Sequence, residues 1–377
     1  MIRWRDGVVA AVRREWPGAV ELDVTVGMQT CRALAYPALT GRPQAGDRVL
    51  LNTTALALGL GTGGYAFVVA VPDRLPPDPP AGGHIVKARY TPLQATVLGV
   101  DEQDSPHHAV LRDADDLGAM PVVVADLHSA LPAILAAARA ALAGTASAST
   151  ASAGTASAGT GRSASPRAAY VMLDGGALPA WFSRAAAALR EAGWLAGTVS
   201  VGQSLGGDLE AVTLHTGLLA ARHVLGADLA VVAQGPGNLG TGTRWGFSGV
   251  ACGEAVNAAA VLNGRPVASL RVSEADTRPR HRGVSHHSLT AYGRVALAAA
   301  DVVVPDLPGE LGALVSRQAA PLAERHRLVR VPVDGLHEIL RACPVPLSTM
   351  GRGLDQDLGY FLAAAAAGRH AAALLQA

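Results

Sequence analysis

The chain has 377 residues, half of them hydrophobic, with 4% aromatic, 16% charged and a net charge of +1. That length predicts two or three domains, with an Ala/Val/Leu core that needs no disulfide or metal staple. The near-neutral charge argues against a general nucleic-acid or membrane-surface binder. The single lysine, Lys87 in HIVKARY, excludes a standard P-loop, whose lysine must close GxxxxGK[ST].

The N-terminal segment carries Arg3, Arg5, Asp6, Arg13 and Arg14, and its apolar run is too short and interrupted for a signal peptide. Up to about residue 75 the chain reads as short strands, Gly7–Val12, Ala19–Val26, Cys31–Tyr36, Arg48–Asn52 and Tyr65–Val71. Turns at Pro17-Gly18, Gly27, Gly46-Asp47 and 59–64 separate them. Short strands at regular spacing predict a small barrel or sandwich over 1–75. Eight arginines face seven acids over residues 1–80 and aromatics are few. The expectation is therefore a scaffold or oligomer-contact role rather than nucleic-acid binding.

The Pro-rich stretch 76–83 reads as a linker. Beyond it, over 84–377, apolar runs alternate with Ala/Leu-rich helical segments. The runs are Ala95–Val100, Pro121–Ala125, Ala168–Leu173, Ala196–Val201, Leu229–Ala233, Val267–Val272, Val302–Val304 and Leu328–Val333. The helical segments are Leu131–Leu142, 180–192, Leu209–Leu225, Val250–Leu262, Leu289–Ala300 and Leu311–His326. This pattern predicts an α/β domain, a doubly wound, mostly parallel sheet with helices on both faces. The tract 144–166, rich in Ala, Ser, Thr and Gly, lacks an apolar face and is expected to be a disordered insertion. Cys31, Cys252 and Cys343 are dispersed and odd in number, which fits a reducing cytoplasm. The Ala-rich run Phe361–Ala367 is too short to span a bilayer.

Ligands in open α/β sheets bind beyond the carboxyl ends of the strands. The residues after each run are unusually polar for this chain, and each candidate site lies there. Gly235, Gly237 and Gly240 form GxGxxG after a strand. No acid stands about 20 residues on, as a dinucleotide fold wants, and Glu274 is 34 residues past Gly240. An anion-binding turn using Asn238, Thr241, Thr243 and the loop backbone remains open beside a purely structural Gly loop. Gly202-Gln-Ser204-Leu-Gly206 matches a nucleophile elbow locally, although the wider hydrolase spacing is missing, and a simple turn is the alternative.

RHRGVSHHSLT holds His281, His286 and His287 between Arg280, Arg282 and a helix start that Ser285 or Ser288 could cap. A helix N-terminus disfavours the cationic imidazole, leaving the neutral form that a base or metal ligand needs. Because neighbours on a helix point apart, one of His286 and His287 is expected to be central. Arg280 and Arg282 would pair with anionic charge. Asp174 and Asp208 would orient a histidine or a metal. His107, His108, His128 and His281 are the candidate ligands of a divalent metal, although no diagnostic spacing such as HExxH is present.

Residues 101–108 (DEQDSPHH), 173–179 (LDGGALP), 206–249 and 280–290 (RHRGVSHHSLT) together resemble a bacterial family known as domain of unknown function 3866. The resemblance covers most of the chain outside the Ala/Ser/Thr tract and implies no reaction and no catalytic residues. The functional expectations rest on the residues alone. They are a hydrolase-type enzyme acting on a small anionic metabolite with metal or histidine assistance, a non-catalytic ligand-binding or sensor protein, or an assembly protein built on the β domain.

Overall fold

The computed structural model describes residues 2–61, 63–79, 82–152, 165–176 and 178–376. The chain divides into two compact units, Met1–Val97 with Trp181–Ala187, and Leu98–Ala180 with Ala188–Ala377.

The first unit is a closed barrel of β1 (Trp4–Trp16), β2 (Ala19–Val26), β3 (Gln29–Ala35), β4 (Arg48–Asn52) and β5 (Ala66–Ala70), in the order β1-β2-β3-β5-β4. Closure removes the exposed strand edges that an open sheet would leave. Register follows burial: Val20 and Leu22 of β2 face Ala35 and Ala33 of β3. These four pack inside with Val9, Val24, Val49, Leu51 and Val68. Two irregularities in β1, at Val9/Ala11 and Val12/Arg14, bend that long strand around the barrel.

A second apolar cluster joins Ala19, Leu34, Tyr36 and Tyr65 to Trp16, Phe67, Trp181 and Phe182. Trp16 Nε1 donates to the Trp181 carbonyl at 2.7 Å, and the Trp181 ring lies 5.9 Å from that of Tyr36. Gly18 permits this contact. Its φ is +85°, and a Cβ there would stand 2.0 Å from the Trp181 ring. Past the Pro-rich segment the unit adds a hairpin of β6 (Ile85–Lys87) and β7 (Ala95–Val97). The run Ala95–Val100, expected as a parallel strand, is thus half of an antiparallel hairpin. Three residues of pairing are too short for periodicity to tell the two apart.

The second unit is an eight-stranded, all-parallel sheet. Its strands are β8 (Pro121–Ala125), β9 (Ala168–Leu173), β10 (Gly197–Val201), β11 (Leu209–Ala211), β12 (Leu229–Gln234), β13 (Arg265–Ser269), β16 (Asp301–Asp306) and β17 (Arg327–Pro332). They lie in the order β11-β10-β9-β12-β8-β13-β16-β17. A short hairpin, β14 (Val272–Ser273) with β15 (Gly283–Val284), follows β13. Every residue of β8, β9 and β12 is buried, as parallel strands covered on both faces require.

The covering helices include Leu131–Ser152 packed on Leu358–Gln376, and Leu214–His223 packed on Ala251–Val261. Small side chains allow the close approach. Ala363–Ala367 are nearly solvent-free, and a Cβ on Gly368 would lie 2.0 Å from the Ile134 carbonyl. Leu358–Gln376 is long and apolar enough to cross a membrane by length and composition, but 72% of it is buried within the protein. The helix starting at Leu131 continues through Ser152, past the expected end at Leu142. The rest of the Ala/Ser/Thr tract, 153–164, lies outside the described residues.

The chain order makes β8 the pivot. From β8 the chain moves outward through β9, β10 and β11, returns to β12, and crosses to β13, β16 and β17 on the other side. Connections leave β8 and β13 in opposite directions, so a crevice opens between their carboxyl ends. Such a switch point is where open α/β sheets bind ligands.

Candidate functional site

Asp126 follows β8 directly and lies at this switch point, 4% exposed. It gathers donors from three loops. Gln234, the last residue of β12, donates Nε2 to the Asp126 carbonyl at 2.8 Å and to Oδ1 at 3.3 Å. Asn238 Nδ2 reaches Oδ1 at 3.2 Å. Arg271, two residues past β13, donates Nη1 to Oδ2 at 3.0 Å, and His287 Nδ1 stands 3.0 Å from the same oxygen. Burial pushes the Asp126 carboxyl up, but the hydrogen bond from His287 and the charge of Arg271 outweigh it and hold the group ionised, below the usual carboxylate range.

Two neighbours make conflicting demands on His287 Nδ1. Arg271 Nη1, 3.2 Å away, can only donate, whereas the Asp126 carboxylate can only accept. The carboxylate is Arg271's better acceptor, so the proton on Nδ1 points at Asp126 and Nε2 is the nitrogen left for other partners. Phe247 stacks flat on the imidazole, centroids 3.8 Å apart and planes within 5°. Ser285 Oγ accepts the His287 N–H at 3.2 Å, capping the short helix His286–Thr290. That helix runs into a π-helical turn, Ala291–Val295, a distortion frequent beside functional sites. Within the turn, the Tyr292 hydroxyl lies 2.9 Å from the Val124 carbonyl and 3.2 Å from that of Ser269, tying β8 to β13 below the crevice. A cavity of about 10 Å³ lies behind Asp126 and Arg271, against Ser269 and Tyr360.

His281 and His286 complete the group. One ring nitrogen or another from His281, His286 and His287 lies within 4.8 Å of both others. Both members of the His286-His287 pair therefore belong to the centre, contrary to the expectation of one. At the first turn of a helix only five residues long, preceded by the 3-10 turn Pro279–His281, the two rings meet edge to face at 4.5 Å. His281 Nδ1 bonds Ser285 Oγ at 2.8 Å. His286 Nε2 is buried without a hydrogen-bond partner among the described residues. Burial, then Arg271, Arg278 and His287, push His281 down to about 3. Burial, His287 and Arg280 push His286 to about 4. Desolvation and nearby positive charge thus favour the neutral form of His281 and His286.

The Gly-rich loop supports this centre more than it cradles an anion. Gly240 bridges Phe247 in antiparallel fashion, Thr241 N donates to the Gly246 carbonyl at 2.7 Å, and Gly246 N donates to Thr243 Oγ1 at 3.1 Å. The hydroxyls of Thr241 and Thr243 bond each other at 3.1 Å. Gly235 and Gly237 carry the chain from β12 to Asn238, whose side chain bridges Asp126 and Ser248. Arg280 is exposed, makes no ion pair among the described residues, and lies 3.9 Å from where a Gly242 Cβ would be. Arg282 is exposed, and its carbonyl accepts from Gln318 Nε2 at 3.3 Å.

Other expected residues lie elsewhere. β11 pairs in parallel with β10, so 202–208 returns to the amino edge of the sheet. Asp208 sits there and accepts from Thr198 N, Thr198 Oγ1 and Arg190 Nη1 at 2.8, 2.9 and 2.7 Å, so it orients nothing in the centre. Ser204 is fully buried, donates Oγ to the Leu173 carbonyl at 3.1 Å, and precedes a strand instead of the helix that an elbow requires. Asp174 is exposed at the end of β9, beside Gly202. His108 Nδ1 bonds the Asp101 carbonyl at 2.8 Å, and His107 immediately precedes the short helix His108–Leu111. His128 is buried against the Tyr170 hydroxyl at 3.1 Å, with burial pushing it to about 4. Of the four expected metal ligands only His281 belongs to the three-histidine group.

Asp126, Gln234, Phe247 and Arg271 were not assigned to the site from sequence. Asp126 had a signal, an acid at a strand end. Arg271 is hidden inside the apolar run Val267–Val272. No curated protein and no solved structure matches the chain. A family model described as "Protein of unknown function (DUF3866)" matches residues 32–368, most of the sequence, and the chain belongs to that family.

Proposed function

We propose that this protein is a hydrolase-type enzyme acting on a small anionic metabolite, one bearing phosphate or carboxylate, at the histidine group over the switch point. The observation that carries the reading is the buried Asp126–His287 pair, in which a carboxylate fixes the imidazole tautomer and leaves Nε2 basic. A base so oriented takes a proton from an attacking water and returns it to the leaving group, the task of general acid–base catalysis. Metal assistance at the same group fits equally. Arg280, exposed beside His286 and Gly242, supplies positive charge for the substrate's anionic part.

Nucleic acid lies outside this reading. The arginines of the barrel are largely matched to acids, as in Arg13–Asp23, Arg14–Glu21, Arg48–Asp6 and Arg74–Asp47, and Trp16, Tyr36, Tyr65 and Phe67 cluster with Trp181 and Phe182. A cytoplasmic location is proposed with it, on the three free and dispersed cysteines.

A thermal-shift screen of phosphorylated and carboxylated metabolites, followed by turnover assays on each hit, tests the proposal. Turnover lost in His287→Ala supports it. Binding without turnover favours a ligand-binding or sensor protein instead, and the absence of any hit alongside a stable oligomer favours an assembly role.

A further inference from the structure

We propose that His281, His286 and His287 form a binding site for one first-row transition dication of the zinc class. The inference rests on the functional reading above only for its location and is tested separately from it.

Three imidazoles are a donor set for zinc-like ions, whereas magnesium and calcium take oxygen ligands. The ring nitrogens already lie within 4.8 Å of one another. A tetrahedral zinc with bonds of about 2.0–2.1 Å wants its nitrogens about 3.3 Å apart, so the rings need close by at most about 1.5 Å. Each ring has one nitrogen to give. In His287 Nδ1 is engaged by Asp126, and in His281 Nδ1 is engaged by Ser285 Oγ, which leaves Nε2 in both. In His286, Nε2 is buried and bonded to nothing among the described residues. A buried polar atom of that kind is destabilising unless something satisfies it, and a metal ion does.

The outer contacts match as well. A carboxylate behind a ligating histidine fixes its ring and raises its basicity, which is the relation of Asp126 to His287. Phe247 packs flat on His287 and meets His286 edge-on, shielding one side. The fixed charges of Asp126 and Arg271 cancel. The two positive charges of a bound ion are therefore left for hydroxide or an anionic ligand in the open position.

The test uses the full-length, tag-free protein, dialysed against a chelator and titrated with Zn²⁺, then with Co²⁺ as a spectroscopic probe. One equivalent of Zn²⁺ is expected, with the visible absorption of tetrahedral cobalt. Affinity should fall by at least about 100-fold in His281→Ala and His286→Ala, and by about 10–100-fold in Asp126→Asn, which keeps its shape. The exposed His215→Ala should leave affinity unchanged. Far-ultraviolet circular dichroism shows that each variant is folded. Failure of the wild type to bind Zn²⁺ stoichiometrically, or equal binding by the folded His281→Ala and His286→Ala proteins, overturns the site. Turnover through His287 in a protein that fails to bind Zn²⁺ overturns the metal site and leaves the hydrolase reading intact. Stoichiometric zinc with no turnover does the reverse.

Discussion

Asp126 Oδ2 lies 3.0 Å from Nδ1 of His287, a residue 161 positions further along the chain. Arg271 Nη1 approaches the same oxygen at 3.0 Å, and the Asp126 and Arg271 side chains are 4% and 6% exposed. Removing one member of such a pair strands the other charge in the interior. Arg271→Ala and Asp126→Ala are each expected to cost about 3–5 kcal/mol of stability by urea denaturation. The double variant should cost clearly less than the sum, because each single change pays for the partner left behind. Additive losses would show that the two charges do not depend on each other.

Gly249 packs its bare Cα side against this carboxylate. A Cβ there would lie 2.0 Å from Asp126 Oδ1, so the methyl of Gly249→Ala must displace the side chain or the loop. The expected result is a loss of about 1–3 kcal/mol. His287-dependent turnover or zinc affinity should fall together with it. Wild-type values for both site readouts would mean that Asp126 has room that the geometry denies it.

Ser204→Ala separates the nucleophile-elbow reading from the histidine centre. The hydroxyl is buried and bonded to the Leu173 carbonyl, so its removal should cost about 1 kcal/mol and leave turnover unchanged. Activity abolished in a folded Ser204→Ala protein would return the serine to the chemistry.

Asp301 predicts the acid limb of stability. Burial raises its pKa, but hydrogen bonds from Arg327 and from His370, the latter at 2.7 Å, lower it by more. A depressed carboxyl contributes stability that is complete above its unfolded value of about 3.9 and disappears as pH falls through the lower folded value. Asp301→Asn should therefore reduce the melting temperature at pH 7 and narrow its distance from wild type below about pH 4. A constant difference across that range would assign the loss to packing instead of charge.

Much of the fold is legible in the sequence because its central strands are buried on both faces. Pro121–Ala125 and Ala168–Leu173 are continuous apolar runs with sharp polar ends, and they form strands over those same residues. Legibility fails where an element is short. Leu209–Ala211 disappears into an apparent helix, and the helix expected at Leu289–Ala300 is the end of a short helix followed by a π-turn. The site was half visible. RHRGVSHHSLT stands out by composition, but Asp126 and Asp174 have the same local pattern of apolar strand, acid and helix start. What separates them is strand order. β8 borders the crevice and β9 does not, and no local signal in one sequence encodes that.

The contact of Trp16 with Trp181 spans 165 positions. During synthesis the five barrel strands leave the ribosome long before the tryptophan that covers Tyr36. At about 5–20 residues per second that gap lasts roughly 6–20 seconds. The aromatic cluster of the barrel unit is therefore complete only after residues 98–180 of the other unit have been synthesised.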